Sequence, residues 1–231
     1  MKNILFSLIA IAFFVGCSKE DDLQEKITLD KNSLSLLYNE QSTLSATGFT
    51  SNDYTWSSSN EFVASVYNGR VTGNHVGEAT IYVSYKNVKD SCKIVVNSVN
   101  NCIKEPNIKW GISMQNLKSK EKNTLVYESY NSNFDITLLT YKVDTYDYYV
   151  YFFKNNSLIL SEQKINIATS IIDMTNSLYE RYQYLSFSLS KYWYNKNGCI
   201  VMMEKQTQGG YYVYFSSNSD TVKSYCNVSI W

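Results

Sequence analysis

The sequence predicts two domains in series: an all-β sandwich over residues 26–96, then an α+β domain over 108–231 built as an antiparallel sheet with one amphipathic helix. Three observations carry this. Between 26 and 96, short alternating segments are separated by turn signals roughly every eight to twelve residues. From Ile167 the apolar spacing changes from a period of two to that of a helix face. Between the two regions, residues 97–107 hold Ser, Asn and the only proline, Pro106, and read as a linker.

The chain opens with a short positive start at Lys2, an apolar run from Ile4 to Val15, and Gly16 before Cys17. The layout is that of a signal peptide, and the run is too short for the roughly 20 residues of a spanning helix. Phe14-Val15-Gly16-Cys17 resembles the lipobox of bacterial lipoproteins. The resemblance implies cleavage after residue 16 and a lipid on the Cys17 thiol, with each buried methylene worth about 0.8 kcal/mol of membrane affinity. Residues 17–25 then form an acidic tether. Its Lys19, Glu20 and Asp21 resemble the signal that carries lipoproteins of the Bacteroidota to the outer face of the outer membrane. The expected localisation is therefore outer-membrane, lipid-anchored and facing outward.

In the first domain, Ile27 and Leu29, Leu34 and Leu36, and Leu44 with Ala46 mark three strands. Tyr54 to Ser57, Val63 to Val66, a strand through Val71, Gly77 to Val83 and Cys92 to Val96 follow. Asn68-Gly69 is the favoured two-residue hairpin turn, because both positions must accept positive φ. The ordered series Trp56-Ser57-Ser58-Ser59-Asn60, Val63-Ala64-Ser65-Val66, Asn68-Gly69, Val71-Thr72-Gly73 and Gly77-Glu78-Ala79-Thr80-Ile81 resembles the bacterial immunoglobulin-like domain of group 2. The resemblance implies a spacer or adhesive module without catalytic residues. Asn39 stands where that family often has glycine, and its tolerance of the left-handed region absorbs the change. Trp56 is expected between the sheets and His75 in an ordinary loop.

With Cys17 lipidated, Cys92, Cys102, Cys199 and Cys226 remain, an even number in a compartment that permits disulfides. Three pairings are open, and short loop closures favour Cys92 with Cys102 and Cys199 with Cys226. No two cysteines stand two residues apart and His75 is the only histidine, so no zinc site is expected. Lys plus Arg and Asp plus Glu are both 21, giving zero net charge and no electrostatic surface for nucleic acid.

In the second domain, alternation marks strands at Ile108 to Met114, Leu125 to Tyr130, Phe134 to Val143 and Tyr148 to Phe153, with a hairpin at Asn155-Asn156 into Ser157 to Leu160. The helix is predicted over Ile167 to Tyr182. Leu185, Phe187 and Leu189 resume the two-residue period. Asn197-Gly198 joins Tyr192–Tyr194 to Cys199–Met203, and Gln208-Gly209-Gly210 turns into Tyr211–Phe215.

No phosphate loop, nucleophile turn or histidine equips this domain for catalysis, and no cofactor is expected. Asp144 with Asp147, or Glu180 with Glu204, are the carboxylate pairs a glycan hydrolase would need. Aromatics dominate instead: 16 of the 21 tyrosines, all but Tyr38, Tyr54, Tyr67, Tyr82 and Tyr85, lie beyond residue 125. Adjacent strand residues point to opposite faces, so on a sheet buried on one side some of Tyr148, Tyr149, Trp193, Tyr194, Tyr211 and Tyr212 must meet solvent or a ligand. The functional expectation is non-enzymatic binding or adhesion at the cell surface, to a glycan or to a host or partner protein. The alternative is an accessory subunit of a surface assembly, joined through a sheet edge.

Overall fold

A computed structural model describes residues 26–49, 54–145, 147–165, 169–188, 191–205 and 210–225. Cys17, Lys19, Glu20, Asp21, Tyr146, Ile167, Leu189 and Cys226 lie outside the described residues.

Among the described residues the first domain has nine strands: β1 Thr28–Leu29, β2 Ser33–Leu37, β3 Gln41–Thr43, β4 Ala46–Thr47, β5 Thr55–Ser58, β6 Ala64–Tyr67, β7 Arg70–Gly73, β8 Gly77–Tyr85 and β9 Val88–Asn97. Of the strand expected at Leu44–Ala46, only Ala46 lies in a strand, β4; Leu44 and Ser45 connect it to β3, which belongs to a different sheet. A four-stranded sheet β2-β9-β8-β5 and a three-stranded sheet β3-β7-β6 enclose Ile27, Leu36, Leu44, Val63, Val71, Ile81, Val83, Cys92 and Ile94. All nine are buried; Leu36, Val71, Ile81, Val83, Cys92 and Ile94 are inward positions of their strands, while Ile27, Leu44 and Val63 enter from the segments beside them. Trp56 packs against this core from β5, and a Cβ on Gly69 would stand 3.3 Å from its ring. Asn68 and Gly69 take φ 48° and 79° in the β6–β7 turn, and Asn39 takes φ 64°.

The second domain has α1 Met114–Lys120, β10 Thr124–Asn131, β11 Ile136–Lys142, β12 Tyr148–Lys154, β13 Ser157–Ile165, α2 Ile171–Tyr179, β14 Gln183–Ser188, β15 Lys191–Lys196, β16 Cys199–Lys205, β17 Tyr211–Ser216 and α3 Ser219–Tyr225. Among the described residues eight strands form one sheet in the order β10-β11-β12-β13-β17-β16-β15-β14. Every pairing in that order is antiparallel. Two hairpin meanders therefore meet at the β13–β17 pair, and β17 lies between β13 and β16.

Two expectations fail here for visible reasons. The strand predicted at Ile108–Met114 is broken by Gly111 at φ 76°, after which the Ser113 hydroxyl accepts from the Asn116 N–H at 3.3 Å and caps α1. The apolar residues of the segment are still covered: Ile112 is buried, and Trp110 and Met114 pack beside it. The predicted helix is shorter, because Ser170 caps α2 at Ile171, and two further short helices, α1 and α3, flank the sheet.

The sheet is packed on both faces. On one, Tyr141, Tyr149, Tyr151 and Phe153 meet Ile112 and Leu117, while Tyr194, Val201, Met203, Tyr211, Val213 and Phe215 meet Ile103 and the α2 residues Met174 and Leu178. On the other, Leu138, Val150, Phe152, Leu160, Met202 and Tyr214 pack with Val222 of α3. Among the described residues no helix is long and apolar enough to cross a membrane.

Candidate functional site: one rim of the second sheet

The two-sided packing corrects the aromatic expectation. Tyr149, Tyr194 and Tyr211 are 7%, 0% and 4% exposed, held under the linker segment, α1 and α2, so they are core residues and not ligand contacts. Burial pushes the Tyr149 hydroxyl up to about 12 and that of Tyr194 further. Their neighbours Tyr148, Trp193 and Tyr212 point to the α3 face and are half-buried. Alternation thus divides each aromatic pair into one core ring and one surface ring.

The register then brings those surface rings among charged groups that the sequence reading did not connect. Tyr148 pairs with Lys164, Lys164 with Tyr212, Tyr212 with Glu204, and Glu204 with Lys191. These five residues form one straight row across β12, β13, β17, β16 and β15. Each lies within two residues of a strand end, so the row runs along one rim of the sheet. The adjacent row holds Val150, Glu162, Tyr214, Met202 and Trp193, paired in the same sequence.

Within the rim the groups are fixed to one another. The Lys191 ammonium is 3.1 Å from a Glu204 carboxylate oxygen, with their side chains 21% and 14% exposed. The Tyr214 hydroxyl donates to Glu204 at 3.3 Å. Tyr212 and Tyr214 meet edge to face at 6.1 Å, and the Lys164 ammonium sits 5.7 Å from the Tyr212 ring centre. Glu162 is buried one row behind. Desolvation pushes its carboxyl up to about 8, with Lys164 pulling it down and Glu204 adding to the rise.

The hydrolase pairs do not assemble. Glu204 stands on the rim, whereas the Glu180 carboxylate is buried against the linker, where it accepts from the Val99 and Asn100 N–H groups. Asp144 and Asp147 shape a turn, with the Asp147 N–H donating to Asp144 at 3.3 Å. Among the described residues no group of three His, Cys, Asp or Glu could hold a metal ion. His75 stacks on Phe62 at 3.8 Å between ring centres, with its Nδ1 2.7 Å from the Phe62 carbonyl oxygen, which gives it a packing role.

The Cys92–Cys102 disulfide is not formed: both thiols are free, Cys92 inside the first domain's core and Cys102 against the second's. A bond between them would pull a buried residue out of one core. Cys199 is also a free, buried thiol.

The signal for the rim was present only in part. Asn197-Gly198 at φ 50° and 81° sets the β15–β16 register, and with it the Lys191–Glu204 pair. The β13–β17 pairing joins segments about 50 residues apart and has no local signature, so Glu162 and Lys164 could not be placed beside Tyr212 and Tyr214.

Among solved structures, the chain is similar to domains 5-6 of the S-layer protein SbsC at 15% identity and a TM-score of 0.28, covering 84% of each chain. It is similar to the I67-I69 fragment of titin at 10% identity and a TM-score of 0.22, covering 84% of this chain and 89% of that one. At such scores neither likeness bears on the arrangement or use of the domains. No curated protein matches the chain. Residues 25–96 match the family model for the bacterial Ig-like domain (group 2), and the paired sheets built on them make the first domain a member of that family.

Proposed function

We propose that this chain is a non-enzymatic binding lipoprotein of the bacterial outer membrane. It is anchored by lipid at Cys17 and turned outward by the Lys19-Glu20-Asp21 tether. The Ig-like domain serves as a spacer, and the second domain meets a glycan or a partner protein through its sheet rim. The observation that carries this reading is the rim itself: Tyr148, Tyr212 and Trp193 stand half-exposed on one face beside Lys164, Glu204 and Lys191. Large rings and fixed charged groups offer contact area and directed hydrogen bonds at low entropic cost.

Cells expressing the chain are tested for adhesion to immobilised glycans and matrix proteins, beside cells expressing Cys17→Ala. Adhesion that survives loss of the lipidated cysteine overturns the anchor. Protease digestion of intact cells tests orientation, and digestion only after permeabilisation overturns the outward-facing reading.

A second reading, assembly through a sheet edge, has its own support. All six residues of β14 are exposed, including Leu185 and Phe187. Irregular pairing interrupts both edge strands, between Leu125 and Tyr127 in β10 and between Tyr184 and Ser186 in β14. Such bulges blunt edges against addition of another strand, so the rim is the better supported contact surface.

A further inference from the structure

We infer that the rim row is a carbohydrate-binding site with Tyr148 and Tyr212 as its two ring platforms, made for a neutral glycan at least two sugar units long. The inference rests on the binding reading above and narrows it to one ligand class.

Spacing is the first argument. Tyr148 and Tyr212 are separated by one strand, β13, so their backbones stand about 10 Å apart, two inter-strand spacings. That distance fits two rings of one oligosaccharide and is too long for two atoms of a single sugar. The aromatic faces can cover the apolar C–H faces of pyranose rings, while the groups between and beside them meet the hydroxyls.

Charge is the second. Glu204 is already neutralised by Lys191 at 3.1 Å, and the Tyr214 hydroxyl donates to it at 3.3 Å. An ionic ligand would have to compete with that internal pair, and the row's remaining cation, Lys164, already stands over the Tyr212 ring at 5.7 Å. A neutral hydroxyl need not, because it can add to such a pair as donor or acceptor without displacing either charge. The ion pair therefore acts as a fixed acceptor and donor for neutral partners. It is held partly out of water, where such hydrogen bonds are stronger.

Size is the third. A stable protein interface buries about 800 Å² on each side, and a row one residue wide on a rim does not supply that. The residues that would suit a protein partner, Leu125, Val126, Tyr130, Leu185 and Phe187, lie on the edge strands instead.

The test is an array of neutral and acidic oligosaccharides, graded from mono- to hexasaccharide, together with immobilised matrix proteins. It is probed with the full chain in detergent micelles and with Tyr212→Ala, Tyr212→Phe and Tyr148→Ala. Near-ultraviolet circular dichroism verifies that each variant is folded. The expected result is binding to neutral chains of two sugars or more, reduced at least tenfold by Tyr212→Ala and Tyr148→Ala and retained by Tyr212→Phe. Glycan binding that is indifferent to both alanine variants overturns the site. Binding only to matrix proteins, sensitive to Tyr212→Ala, overturns the ligand class while leaving the rim as the contact surface. A blank array for glycans and proteins alike overturns this inference and the binding function together.

Discussion

The backbone N–H of Asn100 donates to both carboxylate oxygens of Glu180, at 3.1 and 3.0 Å, tying the linker to the end of α2. The Val99 N–H adds a third bond at 2.8 Å. The same residue reaches the first domain, since its carbonyl accepts from the Val76 N–H at 2.7 Å, and Lys196 donates to the Val76 carbonyl at 3.1 Å. Arg181 closes the arrangement by donating to the Asn100 carbonyl at 3.0 Å and the Ser177 carbonyl at 2.8 Å. Linker, first domain and second domain thus converge on one buried residue, Glu180, through its carboxylate and its backbone carbonyl.

Glu180→Ala is expected to remove the acceptor that the part-buried Val99 and Asn100 N–H groups share. The cost is about 1–3 kcal/mol, the range for leaving such donors without their acceptor. Glu180→Gln keeps an amide oxygen in place and should cost less. Denaturant unfolding measures the loss. Limited proteolysis separates a loosened joint from a general destabilisation, because Glu180→Ala should open a cleavage site within 97–101 while the two domains stay intact.

Glu162 makes the second domain sensitive to pH in a direction opposite to most carboxylates. Its folded value is raised from 4.5 to about 8, mainly by desolvation, so the native state holds a proton that the unfolded chain has released. The stabilising contribution is full below about pH 4.5 and is lost as pH rises to about 8, at up to about 1.4 kcal/mol per pH unit. His75 acts in the other sense at low pH, since burial lowers its value and protonation opposes folding. Comparing wild type with Glu162→Gln isolates the glutamate. The difference in unfolding free energy between them should change steadily from pH 5 to pH 8, and a difference that stays constant over that range would show that Glu162 is ionised throughout.

Local turn chemistry made much of this fold legible. Asn68-Gly69, Asn155-Asn156 and Asn197-Gly198 all adopt the positive φ their residue types favour, and each joins the two strands it was expected to join. What could not be read was coverage. Tyr149 and Tyr211 sit on strands whose alternation is plain, but whether that face meets water depends on Ile103, Ile112 and α2 folding back over it. The linker segment from Ile103 to Ile112 reads as a connection plus a strand, and it serves instead as the lid of the core. The Ser113 cap is a two-residue signal that the Ile108–Met114 alternation outweighed. The rim needed the β13–β17 register, a long-range pairing fixed by packing and not by any turn.

The cysteines are expected to be inert in the folded protein. Burial raises the Cys92 and Cys102 thiols and pushes that of Cys199 up to about 12, so little thiolate is present at neutral pH. Iodoacetamide at pH 7.5 should leave Cys92 and Cys199 unmodified in native protein and label both in denaturant, as read by peptide mass spectrometry. A reductant should leave the first domain's melting temperature unchanged. A fall on reduction would reinstate the Cys92–Cys102 bond.

The edge strands give the last prediction. Leu185 is the extra residue of the β14 irregularity: Tyr184 pairs with Tyr194 and Ser186 with Trp193, leaving Leu185 without a partner on β15 and 51% exposed. Deleting it would let β14 pair with β15 without interruption and straighten an edge that carries Tyr184 and Phe187. A flat apolar edge with open N–H and C=O groups is a template for another chain. The deletion variant is therefore expected to self-associate with rising concentration in analytical ultracentrifugation, while the wild-type chain with Cys17→Ser stays monomeric. Equal association of the two would mean that the bulge does not guard the edge, and would return weight to assembly through β14.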